Sequence, residues 1–184
     1  MQIQWYPGHM HKAQKAVRDI LPQVDLIIEV LDARIPFSSE NPMISQLRGD
    51  KPTLKILNKS DLADADKVKE WQTYFATDKT LHSLTLNVQQ ADRKERILSQ
   101  IRKMVPHPID SVKVIHALIL GIPNVGKSTL INALANRTIA KTGNEPAVTK
   151  ILQRIKLEDG ITLFDSPGLL WPNIENSHSG FRLA

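Results

Sequence analysis

The sequence predicts a three-layer α/β fold, in which helices cover both faces of a mostly parallel sheet. Residues 25–31 and 114–120 are nearly continuous runs of Ile, Val and Leu, which is typical of strands that are buried on both faces. Segments with helical periodicity alternate with six strand-like segments, and this alternation is characteristic of the α/β class.

The predicted elements follow from hydrophobic periodicity and from turn residues. Strands are predicted at residues 25–31, 53–58, 83–87, 114–120, 151–157 and 161–164. Helices are predicted at residues 10–21, 65–75, 92–105 and 127–136. Asp159 and Gly160 between the last two strands favour a hairpin turn, so this strand pair is predicted to be antiparallel.

Composition narrows the class of protein further. The 184 residues suit one domain, and 41% hydrophobic with 23% charged residues excludes a disordered or collagen-like chain. The absence of cysteine excludes disulfides and thiolate chemistry. Neither a secretory signal nor a bilayer-spanning apolar run is evident, so we expect a cytoplasmic protein without a membrane partner. The net charge of +5 is compatible with, but not specific for, a nucleic-acid partner.

A phosphate-binding loop is predicted where residues 121–128 match the pattern GxxxxGK[ST] between a strand and a helix. Gly121 and Gly126 permit the tight turn, Lys127 supplies a positive charge to the β- and γ-phosphates, and the Ser128 hydroxyl ligates Mg²⁺. A chance glycine-rich turn is the alternative, which the strand–helix context disfavours. The backbone amides that form the anion nest belong to Asn124, Val125, Gly126, Lys127, Ser128 and Thr129.

A base-reading loop is predicted at Asn58, Lys59, Ser60 and Asp61, which follow the second strand. The Asp61 carboxylate can accept hydrogen bonds from the ring N–H and the exocyclic amine of guanine, whereas adenine would leave it unpaired. Asn58 would brace the loop and Lys59 would lie along the base plane. On its own this tetrapeptide is more often a solvated turn, but together with the phosphate loop it argues for GTP over ATP.

A second segment of the base pocket is predicted at Asn87 and Val88, which would offer a backbone N–H to the base. The usual guanine-binding tripeptide here is Ser-Ala-Lys, whereas this chain has Asn-Val-Gln. An ordinary strand end explains these residues equally well.

Sensors of the γ-phosphate are predicted downstream of the phosphate loop. Asp165 begins a DxxG pattern after the last strand and would hold Mg²⁺ through water, while the Gly168 N–H would contact the γ-phosphate. The same four residues also make a good β-turn. Thr149 is the candidate switch threonine for Mg²⁺, with a plain loop threonine as the alternative.

The order of these motifs indicates a circular permutation. The base-reading loop precedes the phosphate loop, whereas ordinary small GTPases show the reverse order. With residues 5–10 (WYPGHM), 32–39 (DARIPFSS), 41–42 (NP) and 170–172 (LWP), this order resembles the YlqF/YawG family of circularly permuted GTPases. The resemblance implies a Ras-like P-loop GTPase, with GTP or GDP and Mg²⁺, that acts late in assembly of the large (50S) ribosomal subunit.

The resemblance leaves the hydrolytic group open, because Leu169 stands where many GTPases carry a catalytic glutamine. Besides Lys127 and Thr149, His9 is a candidate catalytic residue; a hinge or ribosome-contact role is its alternative. Asn124 resembles the asparagine that holds K⁺ in potassium-activated GTPases, although a turn-favouring asparagine is the simpler explanation. If Asn124 holds K⁺, turnover should depend on K⁺, and the family resemblance implies that the ribosome stimulates it.

The expected organisation is one permuted domain over residues 1–184. It comprises a basic N-terminal helix segment (1–24), a base-binding half (25–105), a linker (106–113), and a phosphate-loop and switch half (114–184). The family's C-terminal helical RNA-binding domain is expected to be missing.

The predicted partner is the large subunit, with ribosomal RNA and proteins but no DNA, and the protein is expected to be a monomer. Lys12, Lys15 and Arg18 form either a solvated basic face or an RNA contact. Arg34 either contacts RNA or braces the switches. A nucleotide-binding scaffold without catalysis and a P-loop ATPase remain the alternative functions.

Overall fold

The computed structural model describes residues 7–87, 89–106, 113–138, 152–157 and 160–166, with only the backbone of residues 7–11. Within these residues six strands form one sheet, in the order β3-β2-β1-β4-β6-β5. The strands are β1 (Leu26–Asp32), β2 (Thr53–Asn58), β3 (Leu81–Thr85), β4 (Ile115–Gly121), β5 (Gln153–Lys156) and β6 (Ile161–Asp165). The helices are α1 (Pro7–Ile20), α2 (Pro36–Ser39), α3 (Pro42–Leu47), α4 (Ala65–Phe75), α5 (Arg93–Met104) and α6 (Lys127–Ala135).

The three-layer α/β fold is confirmed. Neighbouring strands are parallel except for β5, which pairs antiparallel with β6 as the hairpin signal predicts. One face of the sheet packs against apolar side chains of α5 and α6, among them Ile97, Ile101 and Ile131. The other face is covered by α1 through Val17 and by α4 through Phe75. No helix in the described ranges is long and apolar enough to cross a bilayer.

The predicted strand at residues 83–87 is wrong by two residues, because β3 spans Leu81–Thr85. Its pairing with β2 runs from Thr53 opposite Leu81 to Leu57 opposite Thr85, so the length of the neighbouring strand sets its bounds. Asn87 consequently lies beyond the strand rather than at its end.

Two short helices, α2 and α3, were not predicted. They contain four and six residues, which is too short for a helical period to show in the sequence. Each begins at a proline, and α3 is capped by Asn41, whose side-chain oxygen accepts a hydrogen bond from the Met43 N–H. Residues 33–47, which connect β1 to β2 in the sequence, are thereby placed against the sheet.

The sheet order creates a crevice between β1 and β4. The chain after β1 continues to β2 and β3 on one side, whereas the chain after β4 forms β6 and β5 on the other. Ligands of open α/β sheets bind outside the carboxyl ends of the strands at such a switch point. The fold therefore predicts the site at the ends of β1, β2, β4 and β6.

Candidate functional site

The carboxyl ends of four parallel strands bring the predicted motifs to one edge of the sheet. Asp32 lies opposite Asn58 in the register of β1 and β2, and Ile119 lies opposite Asp165 in that of β4 and β6. The phosphate loop starts at Gly121, the last residue of β4. The motifs that are far apart in sequence therefore meet at the predicted edge.

The phosphate loop needs glycine at both predicted positions. A Cβ on Gly121 would lie 3.0 Å from Val125 Cγ2 and 3.1 Å from the Val30 carbonyl oxygen. Gly126 has φ +92°, and a Cβ there would lie 2.4 Å from Asn58 Nδ2. Asn124 also adopts a left-handed backbone, with φ 66°. This tight turn leads directly into α6 and places the phosphate loop in contact with the base-reading loop.

Lys127 is buried (7% exposed), and its ammonium group contacts the Asp165 carboxylate. The same Nζ donates to the Ser166 carbonyl oxygen at 2.6 Å. Ser166 is itself fixed, because its Oγ and its N–H both donate to the Ile119 carbonyl oxygen at 3.2 and 3.3 Å. The predicted phosphate-binding cation and the predicted Mg²⁺-binding carboxylate thus face each other as a buried ion pair.

The donor set at this point fits a nucleotide with Mg²⁺. Hard divalent cations prefer oxygen ligands, and a hydroxyl and a carboxylate are provided by Ser128 and Asp165. In the described part of the chain no group of three or more His, Asp or Glu could hold a metal by itself. Mg²⁺ would therefore also need phosphate oxygens and water.

The base-reading loop is joined to the phosphate loop by two side chains. Asn58 Nδ2 donates to the Val125 carbonyl oxygen at 2.8 Å, and Lys59 Nζ donates to the Asn124 carbonyl oxygen at 2.7 Å. Lys59 adopts φ 58°, which is uncommon outside glycine. The Ser60 N–H donates to the Leu86 carbonyl oxygen at 3.1 Å, which ties this loop to the segment after β3.

A cleft opens between these loops. Asp61 is exposed at the end of the base-reading loop, as are Asn124 and Thr129 in the phosphate loop, while Ser128 is half-buried. Eight residues line the cleft: Asn58, Lys59, Leu86, Asn87, Arg93, Gly126, Thr129 and Leu130.

Three of the lining residues, Leu86, Arg93 and Leu130, were not predicted. Leucine and arginine are common in core and surface helices, so their types carried no signal. The Asn87 carboxamide oxygen accepts hydrogen bonds from the N–H groups of Gln89 and Gln90 at 2.9 and 3.1 Å. Its side-chain oxygen is therefore engaged within its own loop.

The side chains of four predicted site residues, Val88, Thr149, Gly168 and His9, are not described. The first three lie outside the described residues, as does Leu169, which stands in the place of the catalytic glutamine. His9 lies within α1, but its side chain is outside the description.

A buried ion pair joins the two strands, β1 and β2, that lead into the base-binding half of the site. Glu29 of β1 and Lys55 of β2 lie opposite each other in register, and each is 2% exposed. Lys55 Nζ donates to Glu29 Oε2 at 2.8 Å and also contacts the Glu40 carboxylate, while the Asn41 N–H donates to Glu29 Oε1 at 3.0 Å. The cluster attaches the α2–α3 segment to the sheet.

Burial and charge act in opposite directions on this cluster. Burial raises the pKa of Glu29 more than Lys55 lowers it. Burial lowers the pKa of Lys55, but the carboxylates of Glu29 and Glu40 outweigh it and raise that pKa overall. A signal for the pair was present, since the interior of each apolar strand holds one charged residue and the two residues have opposite signs.

Comparisons with known proteins identify relatives among the GTPases. Residues 116–184 match the family described as 50S ribosome-binding GTPase. Ribosome biogenesis GTPase A of Bacillus pumilus is 44% identical over 191 aligned positions, covering 100% of this chain and 67% of that protein. Mitochondrial ribosome-associated GTPase 1 of Mus musculus is 35% identical and covers 98% of this chain and 59% of that protein.

A solved structure described as GDP-bound TM YlqF superposes with a TM-score of 0.64 and 30% identity, covering 91% of this chain and 63% of that chain. The chain thus spans about two thirds of the length of these relatives. On the strength of the Bacillus pumilus match, which extends over the whole chain, the protein belongs to the family of ribosome biogenesis GTPase A.

Proposed function

We propose that this protein binds guanine nucleotides, hydrolyses GTP to GDP and phosphate, and acts as a cytoplasmic assembly factor in late maturation of the large (50S) ribosomal subunit. The observation that carries the proposal is the link between the two nucleotide loops. Asn58 and Lys59 of the base-reading loop bond to carbonyl groups of Val125 and Asn124 in the phosphate loop. The link sets Asp61 beside the phosphate loop, and an adenine-binding protein would have no use for that carboxylate because adenine would leave it unpaired.

Each half of the nucleotide has its own set of groups. Asp61 would accept hydrogen bonds from guanine, and the cleft beside Asn58 and Asn87 would hold the base. The amides of residues 124–129 and the Lys127 ammonium would bind the phosphates. Ser128, Asp165 and Thr149 would hold Mg²⁺, which when bound neutralises charge on the β- and γ-phosphate oxygens. Gly168 and Val88 would add backbone N–H contacts.

Binding of phosphate requires an exchange of partners at Lys127. Its ammonium now contacts the Asp165 carboxylate, and the two groups would separate so that one faces phosphate and the other faces the cation. This exchange would accompany binding of either nucleotide, and the proposed γ-phosphate sensors Gly168 and Thr149 would distinguish GTP from GDP. We expect the GTP state to bind the maturing subunit and the GDP state to leave it.

Two further roles concern the chemical step. We propose that His9 orients the attacking water in place of the missing glutamine, so His9→Ala should reduce turnover and leave GTP affinity intact. We also propose that Asn124 holds K⁺, which would supply the positive charge that an arginine finger provides elsewhere. Equal activity in KCl and NaCl would reject the K⁺ role.

The RNA contact is proposed for the basic face of α1. Lys12, Lys15 and Arg18 are exposed, whereas Ala13 and Val17 on the opposite side are buried against the sheet. Arg154 and Lys156 of β5 are exposed as well. Such cations suit the phosphate backbone of ribosomal RNA. We propose a monomeric GTPase domain over residues 1–184, to which the relatives add further sequence.

One experiment tests the function against its alternatives. GTP and ATP turnover are measured in K⁺, with and without large ribosomal subunits. GTP turnover that rises with subunits supports the proposal. GTP binding without turnover would favour a nucleotide-binding scaffold, and a preference for ATP would favour an ATPase.

The guanine contact has a sharper test in Asp61→Asn. Loss of two charge-assisted hydrogen bonds should weaken GDP binding by about 10²–10⁴-fold, because each contributes roughly 1.5–3 kcal/mol. Xanthosine diphosphate, whose base carries a carbonyl in place of the guanine amine, should bind this variant better than it binds the wild type. Asp66→Asn in α4 is the matched control, and it should leave both affinities unchanged.

A further inference from the structure

The end of β1 and the turn that follows carry two charged residues, Asp32 and Arg34, to which the proposed function assigns no role. Asp32 is the last residue of β1 and lies opposite Asn58 in register. Its N–H donates to Ser39 Oγ at 3.0 Å, and the Ala33 N–H donates to the Asn58 carbonyl oxygen at 2.8 Å. The end of β1 is thereby fixed against the start of the base-reading loop.

The Asp32 carboxylate is buried and gathers two cations. Arg34 binds it in a bidentate manner, with Nε 2.9 Å from Oδ1 and Nη2 2.7 Å from Oδ2, and the Arg34 N–H donates to Oδ1 at 3.0 Å. Lys59 Nζ lies 3.3 Å from Oδ2. Burial alone would raise the pKa of Asp32, but the hydrogen bonds from Arg34 and the charge of Lys59 lower it overall. The carboxylate is therefore ionised at neutral pH.

Lys59 connects three segments through one ammonium group. It reaches Asp32 at the end of β1 and the Asn124 carbonyl oxygen in the phosphate loop, while its own backbone belongs to the base-reading loop. That backbone has φ 58°, a conformation that non-glycine residues seldom adopt. Contacts of the side chain therefore help to hold the loop in an unfavourable local geometry.

Arg34 and Lys59 would oppose each other without the carboxylate between them, since like charges at close range repel. The Arg34 side chain is 47% exposed and could turn towards solvent, but Lys59 would lose one of its two anchors. The bond between Lys59 and the phosphate loop would then be formed less often in the nucleotide-free protein. Nucleotide binding would have to supply the ordering of both loops.

We propose that Asp32 is a positioning residue for guanine-nucleotide binding, which holds the Lys59 ammonium between the base-reading and phosphate loops while Arg34 orients the carboxylate. This inference rests on the proposed function, because it concerns the same nucleotide site. It assigns to Asp32 an effect on affinity through Lys59, with no direct part in the chemical step.

The test compares Asp32→Asn, Lys59→Met and the double variant. GDP affinity should fall about tenfold in Asp32→Asn, the effect of losing one charge-assisted contact. Turnover at saturating GTP should stay within about twofold, because the attacking groups are untouched. The double variant should bind GDP no more weakly than Lys59→Met alone, since both substitutions remove the same link.

Asp25→Asn is the matched control, because Asp25 lies just before the first residue of β1, at the opposite end of the strand from Asp32. The Asp25 carboxylate accepts a hydrogen bond from the His116 N–H at 2.8 Å, far from the nucleotide loops. This variant should lose thermal stability and keep its GDP affinity. If Asp32→Asn fails to fold, Arg34→Ala replaces it, with an expected loss of about threefold in GDP affinity as the carboxylate loses its orienting partner.

Three results would overturn the inference while leaving the proposed function standing. They are unchanged GDP affinity in the folded Asp32→Asn variant, unchanged affinity in Arg34→Ala, or additive losses in the double variant. If the wild-type protein binds no GDP, the proposed function fails, and the inference fails with it.

Discussion

The base-binding half and the phosphate-loop half of this site differ in how their charges are paired. In the base-binding half, Lys59 already bonds to the phosphate loop and to Asp32, and Lys55 is surrounded by carboxylates. In the phosphate-loop half, Lys127 is paired with Asp165, the group that would bind Mg²⁺. If the proposed function holds, the base-reading groups keep these contacts when a nucleotide binds, whereas Lys127 and Asp165 exchange partners.

This difference has a physical reason. A base is read by fixed hydrogen bonds, and selectivity improves when the reading groups cannot rearrange to suit a wrong base. A switch needs two arrangements of similar free energy, so that the presence or absence of a phosphate can select one of them. Under the proposed function, the buried pair of Lys127 and Asp165 would be one of these arrangements.

The largest expected effect breaks the phosphate half. Lys127→Met should lower GTP turnover by at least about a hundredfold, because the transition-state charge on the phosphates loses its cation. It should also cost about 3–5 kcal/mol of unfolding free energy, since the fully buried Asp165 loses the ammonium beside it. Turnover assays and urea unfolding measure the two effects.

Adding Asp165→Asn should recover part of that stability but none of the turnover. Lys156→Met, which removes an exposed cation of β5, is the control and should change neither. Turnover in Lys127→Met within about threefold of the wild type would contradict the role assigned to Lys127.

The second effect concerns the base-binding half. Lys55→Met should destabilise the protein by about 3–5 kcal/mol, because Glu29 would keep a buried carboxylate without its cation. The folded variant should still bind GDP within about threefold of the wild type, since Glu29 and Lys55 lie in the interior of β1 and β2 and not in the nucleotide loops. Urea unfolding and a GDP titration measure this pair of expectations.

Lys67→Met is the matched substitution in an exposed pair with Glu70 and should leave the unfolding midpoint in urea essentially unchanged. Glu29→Gln combined with Lys55→Met should recover much of the loss. A loss below about 1 kcal/mol in Lys55→Met would show that the buried pair is dispensable.

A smaller effect separates nucleotide binding from partner binding. Replacing Lys12, Lys15 and Arg18 by Glu should weaken binding to ribosomal RNA about tenfold or more. The slope of log affinity against log salt concentration should fall by the amount expected for about two to three lost phosphate contacts. GTP turnover without subunits should be unchanged, since these side chains are exposed on the face of α1 opposite the buried Ala13 and Val17. Filter binding at several salt concentrations measures the slope, and Lys67→Glu with Lys69→Glu on α4 is the control. An unchanged slope would contradict an RNA contact by α1.

The smallest effect is a pH dependence within the base-binding half. Hydrogen bonds from Thr80, followed by the contact with Arg48, lower the pKa of Asp78 from its ordinary 3.8 to about 2. The stabilisation is therefore complete above about pH 4 and is lost as the pH falls towards 2. Asp78→Asn should be less stable than the wild type at pH 7, by a margin that shrinks near pH 3. Urea unfolding at both pH values measures the margin, and a margin independent of pH would contradict this assignment.

The sequence by itself determined the fold class and the nucleotide motifs. The buried strands near residues 25–31 and 114–120 appear as uninterrupted apolar runs, and the phosphate loop requires glycine at fixed spacing, so both leave a local pattern. The position of the base-reading loop before the phosphate loop indicated the permutation directly. The antiparallel pair β5–β6 was likewise marked by its turn residues.

Only the tertiary structure decided which charges meet. The contacts of Lys59 with Asp32 and Asn124, and of Lys127 with Asp165, join residues that are 27 to 65 positions apart. Such contacts depend on strand order and register, which no local periodicity encodes. The bounds of β3 were missed for the same reason, since pairing with β2 sets them. The helices α2 and α3 were missed because they are too short to show a helical period. Local chemistry thus predicted the motifs, whereas the sheet order determined how they act on one another.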